Sequence, residues 1–191
     1  VTPRILDILQ EHNARATFFV LGNRVDNFPN IIQREYSQGH EIGSHSFSHP
    51  QITTLTSDEI EYQFAETEHR IQQYVPYTTK LVRPPYGQIT QSLKEVLQKT
   101  FVLWSIDTQD WKTRDKDAIV SEVLNNVKDG DIILMHDMYS TTADACEELI
   151  PALIERGYQL VTVSELLNAK EITPVAGSVY SRVLSTGNAA S

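Results

Sequence analysis

Between Gly39 and Pro50 the chain reads Gly-His-Glu-Ile-Gly-Ser-His-Ser-Phe-Ser-His-Pro, which places three of its six histidines within ten positions. Glu41-Ile42-Gly43 suggests a short strand running into a loop, and Pro50 disfavours helical angles at His49. His45 and His49, four apart at a strand exit, are what a divalent cation needs as its first two nitrogen ligands. A pair of polar histidines at a turn has the same spacing, so spacing alone leaves both readings open.

Three further clusters carry chemistry-bearing side chains: Arg83-Pro84-Pro85-Tyr86-Gly87, Asp107-Thr108-Gln109-Asp110-Trp111 and Leu134-Met135-His136-Asp137. Singly, each has a structural explanation: a rigid turn, a helix-capping aspartate beside a core tryptophan, and a satisfied histidine at a strand end. What they share with the histidine pair is their place, at or just after the end of an expected strand.

Those strands follow from pattern. Ala16–Gly22 and Phe101–Ile106 are short apolar runs of the kind that a parallel sheet buries on both faces. Leu81-Val82, Asp131–Asp137 and Tyr158–Val163 complete the set. Helices are expected between them. One begins at Thr2-Pro3, with Thr2 as cap, and carries Ile5, Leu6, Ile8 and Leu9. Others cover Ile31–Tyr36, then a long stretch opened by a Thr56/Glu59 capping box and closed before Pro76. Thr90 caps the next. One from about Asp115 presents Ile119, Val120, Val123, Leu124 and Val127, with Gly130 as its C-cap. A helix bearing Leu149, Ile150, Leu153 and Ile154 stops at Gly157, and a short last one starts at Ser164. His69 falls on a polar helix face and reads as surface; Cys146 falls on a helix and reads as a small buried residue.

Strand and helix alternate with short connections, the pattern of an α/β fold with parallel strands. Functional clusters at successive strand exits favour a (β/α) barrel, whose strand ends converge on one face, over an open sheet. No glycine-rich phosphate loop of either common type follows any strand.

The 191 residues suit one domain with a sizeable core, at 40% hydrophobic and 21% charged. A formal charge of −9 argues against nucleic acid or an anionic membrane as partner. A single cysteine excludes an internal disulfide and a multi-cysteine zinc site. No apolar run approaches the roughly 20 residues of a membrane span.

Taken together, the clusters resemble the NodB-homology polysaccharide deacetylases, carbohydrate esterase family four. Within that family the chain is most similar to Gram-positive peptidoglycan N-acetylglucosamine deacetylases. The matching elements are Ala16-Thr17-Phe18-Phe19, His45-Ser46-Phe47-Ser48-His49, Arg83–Gly87, Asp107–Trp111 and Leu134–Asp137. The resemblance implies a distorted (β/α) barrel and a divalent metal, usually Zn2+ with Co2+ as an alternative, held by His45 and His49. It implies that Arg83 holds a catalytic base by an ion pair and that the Tyr86 N–H binds the oxyanion. Asp110 would orient His136, the general acid, and Trp111 and Leu134 would line the pocket for the acetyl methyl. The implied substrate is a polysaccharide, peptidoglycan first, with chito-oligosaccharide or acetylxylan as alternatives. A catalytically inactive carbohydrate-binding member of the fold is the reading from another class.

One family motif is absent. The Thr-Phe-Asp-Asp-Gly-Pro stretch, which supplies the base and a third metal ligand, has no counterpart, and no Asp-Asp pair occurs. The chain opens on Val1-Thr2-Pro3, a helix start and not an initiator methionine. The expectation is therefore a catalytic domain over 1–169 that lacks its first strand, with the missing N-terminal segment needed to complete the barrel. Residues 170–191 are expected as a polar tail. An extracellular or cell-surface location is implied by the family.

Overall fold

The structure, a computed structural model, describes residues 1–184. The chain divides into two compact units, one formed by Thr17–Leu103 with Pro174–Tyr180, the other by Val1–Ala16, Trp104–Thr173 and the segment beginning at Ser181.

The first unit is a parallel sheet with helices. Its strands are β1 (Thr17–Val20), β2 (Glu41–Ser44), β3 (Leu81–Val82), β4 (Thr100–Val102) and β7 (Val179–Tyr180), paired in that order. Every pairing is parallel, with Val20 opposite Ser44, Ser44 opposite Val82 and Val82 opposite Phe101. Helices α2 (Gly22–Val25), α3 (Pro29–Ser37), α4 (Ser57–Gln72) and α5 (Gln91–Leu97) make the connections. Two apolar clusters seal helix to strand. Val25, Ile32, Ile42, Ile71 and Val75 form one; Ile52, Ile60, Phe64, Val82, Leu93 and Phe101 form the other. The Thr56/Glu59 capping box is present, and Thr90 accepts from the Leu93 N–H at the head of α5.

The second unit holds α1 (Thr2–Glu11), β5 (Ile106–Asp107), α6 (Asp110–Thr113), α7 (Lys116–Asn126), β6 (Ile133–Leu134), α8 (Ser140–Glu155) and α9 (Val163–Ala169). Strands β5 and β6 pair in parallel. Ile106, Ile119, Val120, Val123, Ala145, Leu149 and Leu153 build its core; of the apolar faces read for α7 and α8, Leu124 and Val127 are half-buried and Ile154 is exposed. Among the described residues no helix is long and apolar enough to cross a membrane.

Several expectations are corrected. Thr2 is the first residue of α1 and not its cap; its hydroxyl turns instead to Asp137 Oδ2 at 2.6 Å. The single strand expected over Phe101–Ile106 is two, β4 and β5. Leu103 N–H bonds Tyr180 O, whereas Ser105 N–H bonds Ile132 O, so the backbone changes partner at Trp104. Tyr158–Val163 is not a strand: Leu160 O accepts from Arg15 N–H, and a second capping box at Thr162/Glu165 starts α9. Gly130 does not cap α7, which ends at Asn126; it takes a positive φ of 86° in the following turn.

The expected tail from Lys170 is also different where it is described. Strand β7 adds to β4, Arg182 pairs with Asp131, and Val183 is buried. A two-residue strand among Gly, Ser and Pro has no period to read from sequence. The remainder, residues 185–191, lies outside the described residues.

Candidate active site

In the first unit the histidine loop grows directly out of the sheet. His45 N–H donates to Val20 O at 2.9 Å, continuing the β1–β2 ladder by one step. The chain then turns sharply. Ser46 and His49 both have positive φ, 71° and 60°, a left-handed conformation that costs a non-glycine residue on the order of 1 kcal/mol. Three sets of bonds hold it. Ser46 O and Phe47 O accept the N–H groups of Gly22 and Asn23 at the head of α2. Ser46 Oγ accepts the His49 N–H at 3.0 Å. Gln63 of α4 takes the N–H groups of Phe47 and Ser48 on one side-chain oxygen, at 3.0 and 2.9 Å.

This loop sets the two imidazoles face to edge, with ring centroids 4.9 Å apart. His45 Nδ1 lies 2.5 Å from the carbonyl oxygen of Arg83. A carbonyl only accepts, so Nδ1 carries the proton and the lone pair of the neutral ring sits on Nε2. That tautomer suits a metal ligand. The two histidines fit two positions of a metal site, and among the described residues no group of three His, Cys, Asp or Glu side chains could hold an ion.

Arg83 and Tyr86 stand beside them. Arg83 N–H bonds Ser44 O, joining β3 to β2 at the strand ends. Its guanidinium is buried over the Phe19 ring at 4.3 Å and donates to Val102 O and Leu103 O at 3.3 and 2.9 Å. Burial lowers its pKa to about 10, which leaves it charged at neutral pH. Tyr86 takes φ 57°, ψ 14° in the Pro-Pro-Tyr-Gly turn, and its exposed ring meets His49 edge-on at 4.7 Å. The bonds that close this turn come from Gly87 and Gln88, not from the Tyr86 N–H.

The second unit holds the Asp110–His136 pair. Asp110 is fully buried at the start of α6, after Gln109 turns the chain with φ 52°. Its Oδ1 lies 2.7 Å from His136 Nδ1 and accepts the Trp111 N–H at 2.9 Å. Its Oδ2 accepts the His136 N–H at 2.6 Å and the Thr142 hydroxyl at 2.8 Å. Burial alone would raise the Asp110 pKa, but the bonds from His136 and Thr142 outweigh it and hold the carboxyl below its ordinary value. The anion fixes Nδ1–H on His136, so Nε2 is the ring atom left to exchange a proton. Trp111 is half-exposed next to Asp110, and Leu134 is buried on β6, its carbonyl bonded by the Thr108 hydroxyl at 2.8 Å.

The structure thus brings His45, His49, Arg83 and Tyr86 together in one unit and joins Asp110 to His136 in the other. Two residues that shape these groups escape sequence reasoning. Thr142 lies in the first turn of α8 and reads as the last of four successive hydroxyl-bearing residues, Tyr139 to Thr142. Gln63 lies at helical spacing with Ile60, Phe64 and Thr67, which are buried, and a polar side chain on that face was the available signal. His69 is on the surface and Cys146 is buried, as read.

Known proteins resemble this chain in sequence and in fold. The sequence model of the polysaccharide deacetylase family fits residues 1–102. The peptidoglycan-N-acetylmuramic acid deacetylase PdaC of Bacillus subtilis is 45% identical over 89% of this chain and 36% of its own length. The peptidoglycan-N-acetylglucosamine deacetylase PgdA of Listeria monocytogenes is 39% identical, again over 89% and 36%. The chain therefore spans about a third of the length of these curated relatives. Among solved structures, a family 4 acetyl xylan esterase from Clostridium thermocellum, in complex with a cobalt ion, superposes with a TM-score of 0.90. It is 35% identical, over 95% of this chain and 92% of that one. The α/β fold expected from the sequence is the fold of these enzymes, a metal-dependent group, and the chain belongs to the polysaccharide deacetylase family.

Proposed function

We propose that this chain carries a metal-dependent deacetylase acting on N-acetylglucosamine residues of peptidoglycan, releasing acetate and leaving a free amine. The observation that supports it best is the buried Asp110 carboxylate clamped on His136 through both the ring Nδ1 and the main-chain N–H. Such a pair is suited to giving one proton from Nε2 to a departing amine near neutral pH.

His45 and His49 would hold the ion through ring nitrogens, and the fit of the neutral His45 tautomer supports Zn2+, with Co2+ able to replace it. Such an ion supplies an acidified water and polarises the acetyl carbonyl. The chain's own groups supply the oxyanion donor, the partner of the base and the general acid. The Tyr86 N–H, which its turn does not use, donates to the carbonyl oxygen as charge develops there. Arg83 holds the carboxylate base that takes the proton of the attacking water. As the new C–O bond forms and the C–N bond breaks, His136 protonates the amine nitrogen. Trp111 and Leu134 flank the acetyl methyl and exclude larger acyl groups. The family resemblance assigns the base and the third ligand to a segment before Val1, and the enzyme works outside the cell, at the wall.

The test is acetate release from peptidoglycan and from chito-oligosaccharide, in protein carrying that preceding segment, with His136→Ala and His49→Ala alongside. Each variant is expected to lose about a hundred- to ten-thousand-fold in kcat/KM. Undiminished turnover in either would sink the assignment. Activity on N-acetylmuramic acid residues or acetylxylan, and none on N-acetylglucosamine, would move the substrate to that of PdaC or of the xylan esterase. Sugar binding without acetate release would make the chain a binding module.

A further inference from the structure

We propose that Thr142 is a positioning residue that sets the proton affinity of His136 through the carboxylate the two residues share. The Thr142 hydroxyl donates to Asp110 Oδ2 at 2.8 Å, while His136 Nδ1 faces Oδ1 at 2.7 Å. Both Thr142 and Asp110 are fully buried, so solvent does not stand in for a lost donor.

The direction follows from charge. A proton donated to Oδ2 draws negative charge from the carboxylate, and a carboxylate so relieved grips the facing imidazolium less tightly. Thr142 therefore makes His136 a readier proton donor than Asp110 alone would. Its effect is separable from holding the carboxylate in place, because the N–H groups of Trp111 and His136 already fix one oxygen each.

The ionisable groups around this carboxylate are few. Cys146 lies one turn along α8, its thiol pushed up to about 12, chiefly by burial and then by Asp110. Asp137 is tied to Thr2 of α1, and Arg4 of α1 pairs with Asp144 and Glu147.

Only the catalytic consequence rests on the deacetylase reading. The inference itself is tested by NMR titration of the His136 ring in the protein as it stands, in Thr142→Val and in Thr142→Ser. Valine keeps the volume and β-branching and removes only the donor; serine restores the donor. Thr142→Val is expected to hold the His136 proton roughly three- to tenfold more tightly, and Thr142→Ser to titrate like the wild type. If Thr142→Val does not fold, Thr142→Cys, a weaker donor in the same place, is titrated with the same expected direction. A donor-weakened variant that titrates like the wild type, or releases the proton more easily, would overturn the proposal. In the active protein the basic limb of the kcat profile should move up with the NMR value. A shifted titration, with no acetate released by protein carrying the preceding segment, would leave this inference standing and remove the deacetylase reading.

Discussion

Gln63 and Ser48 bond each other from both ends of the glutamine amide. Gln63 Oε1 accepts the Ser48 N–H at 2.9 Å, and Gln63 Nε2 donates to Ser48 Oγ at 3.0 Å. The same oxygen takes the Phe47 N–H. One side chain on α4 thereby holds two of the three residues between His45 and His49, Phe47 and Ser48, in a strained loop. Replacing Gln63 with leucine keeps the volume and leaves two backbone donors without their acceptor. The expected cost is about 2 kcal/mol in stability, together with a tenfold or greater loss in affinity for Zn2+. Urea unfolding and a competition titration with a chromophoric chelator measure the two. A variant that binds Zn2+ as tightly as the wild type would show that the loop holds its shape without Gln63.

Asp110 accepts donors at every side, which makes its replacement by asparagine costly. An amide would turn N–H groups toward the N–H of Trp111 or toward the N–H of His136 and the hydroxyl of Thr142. We expect Asp110→Asn to lose about 3 kcal/mol. The pH dependence has a definite sign. The folded-state pKa of Asp110 is depressed, so its stabilisation is fully present above the ordinary carboxylate value and is lost as pH falls below it. The wild type should therefore lose stability on acidification below about pH 4 more steeply than Asp110→Asn. Asp131 and Glu165, also depressed, act in the same window and remain in both proteins. Parallel acid-unfolding curves for the two would contradict the assignment.

Much of this arrangement is legible in the sequence, and what is not has a physical reason. Helices α4, α5 and α7 begin where Thr56/Glu59, Thr90 and Asp115 announce them, because a side-chain cap is a local event. His45, His49, Asp110 and His136 could be singled out because their chemistry is unusual for strand exits. Strand β6 falls within the stretch Asp131–Asp137 read as a strand, whereas the break between β4 and β5 and the two-residue β7 depend on partners distant in the chain, so no periodicity marks them. Thr142 and Gln63 touch the functional groups and bear ordinary side chains themselves; only the fold reveals what they hold.

Gly130 is a case where backbone freedom and space are both required. Its φ is +86°, and a Cβ there would stand 1.9 Å from Val183 O, while Val183 N–H bonds Gly130 O at 2.8 Å. Alanine would have to break that bond and displace a valine that is 1% exposed. Gly157, at φ +88° with nothing within 4 Å of a Cβ, supplies the control. We expect Gly157→Ala to cost about 1 kcal/mol from strain alone, and Gly130→Ala about 3 kcal/mol. Equal urea midpoints for the two would show that the contact with Val183 contributes nothing.

Cys146 offers a readout of the folded state that needs no substitution. It is buried on α8, 4.0 Å from the Met135 sulfur, and burial, then the nearby Asp110 and Asp137 carboxylates, push its thiol up to about 12. A thiolate is the species that reacts with alkylating and disulfide reagents, so the native thiol is doubly protected, by access and by charge. Modification at pH 8 should then proceed only through opening of the second unit, and its rate should rise with urea in step with the loss of native signal. Because α8 carries both Cys146 and Thr142, the same measurement on Thr142→Val reports whether that substitution loosens the helix. Rapid labelling of the native wild-type protein would mean that α8 opens locally, and would place the Asp110–His136 pair on a mobile support.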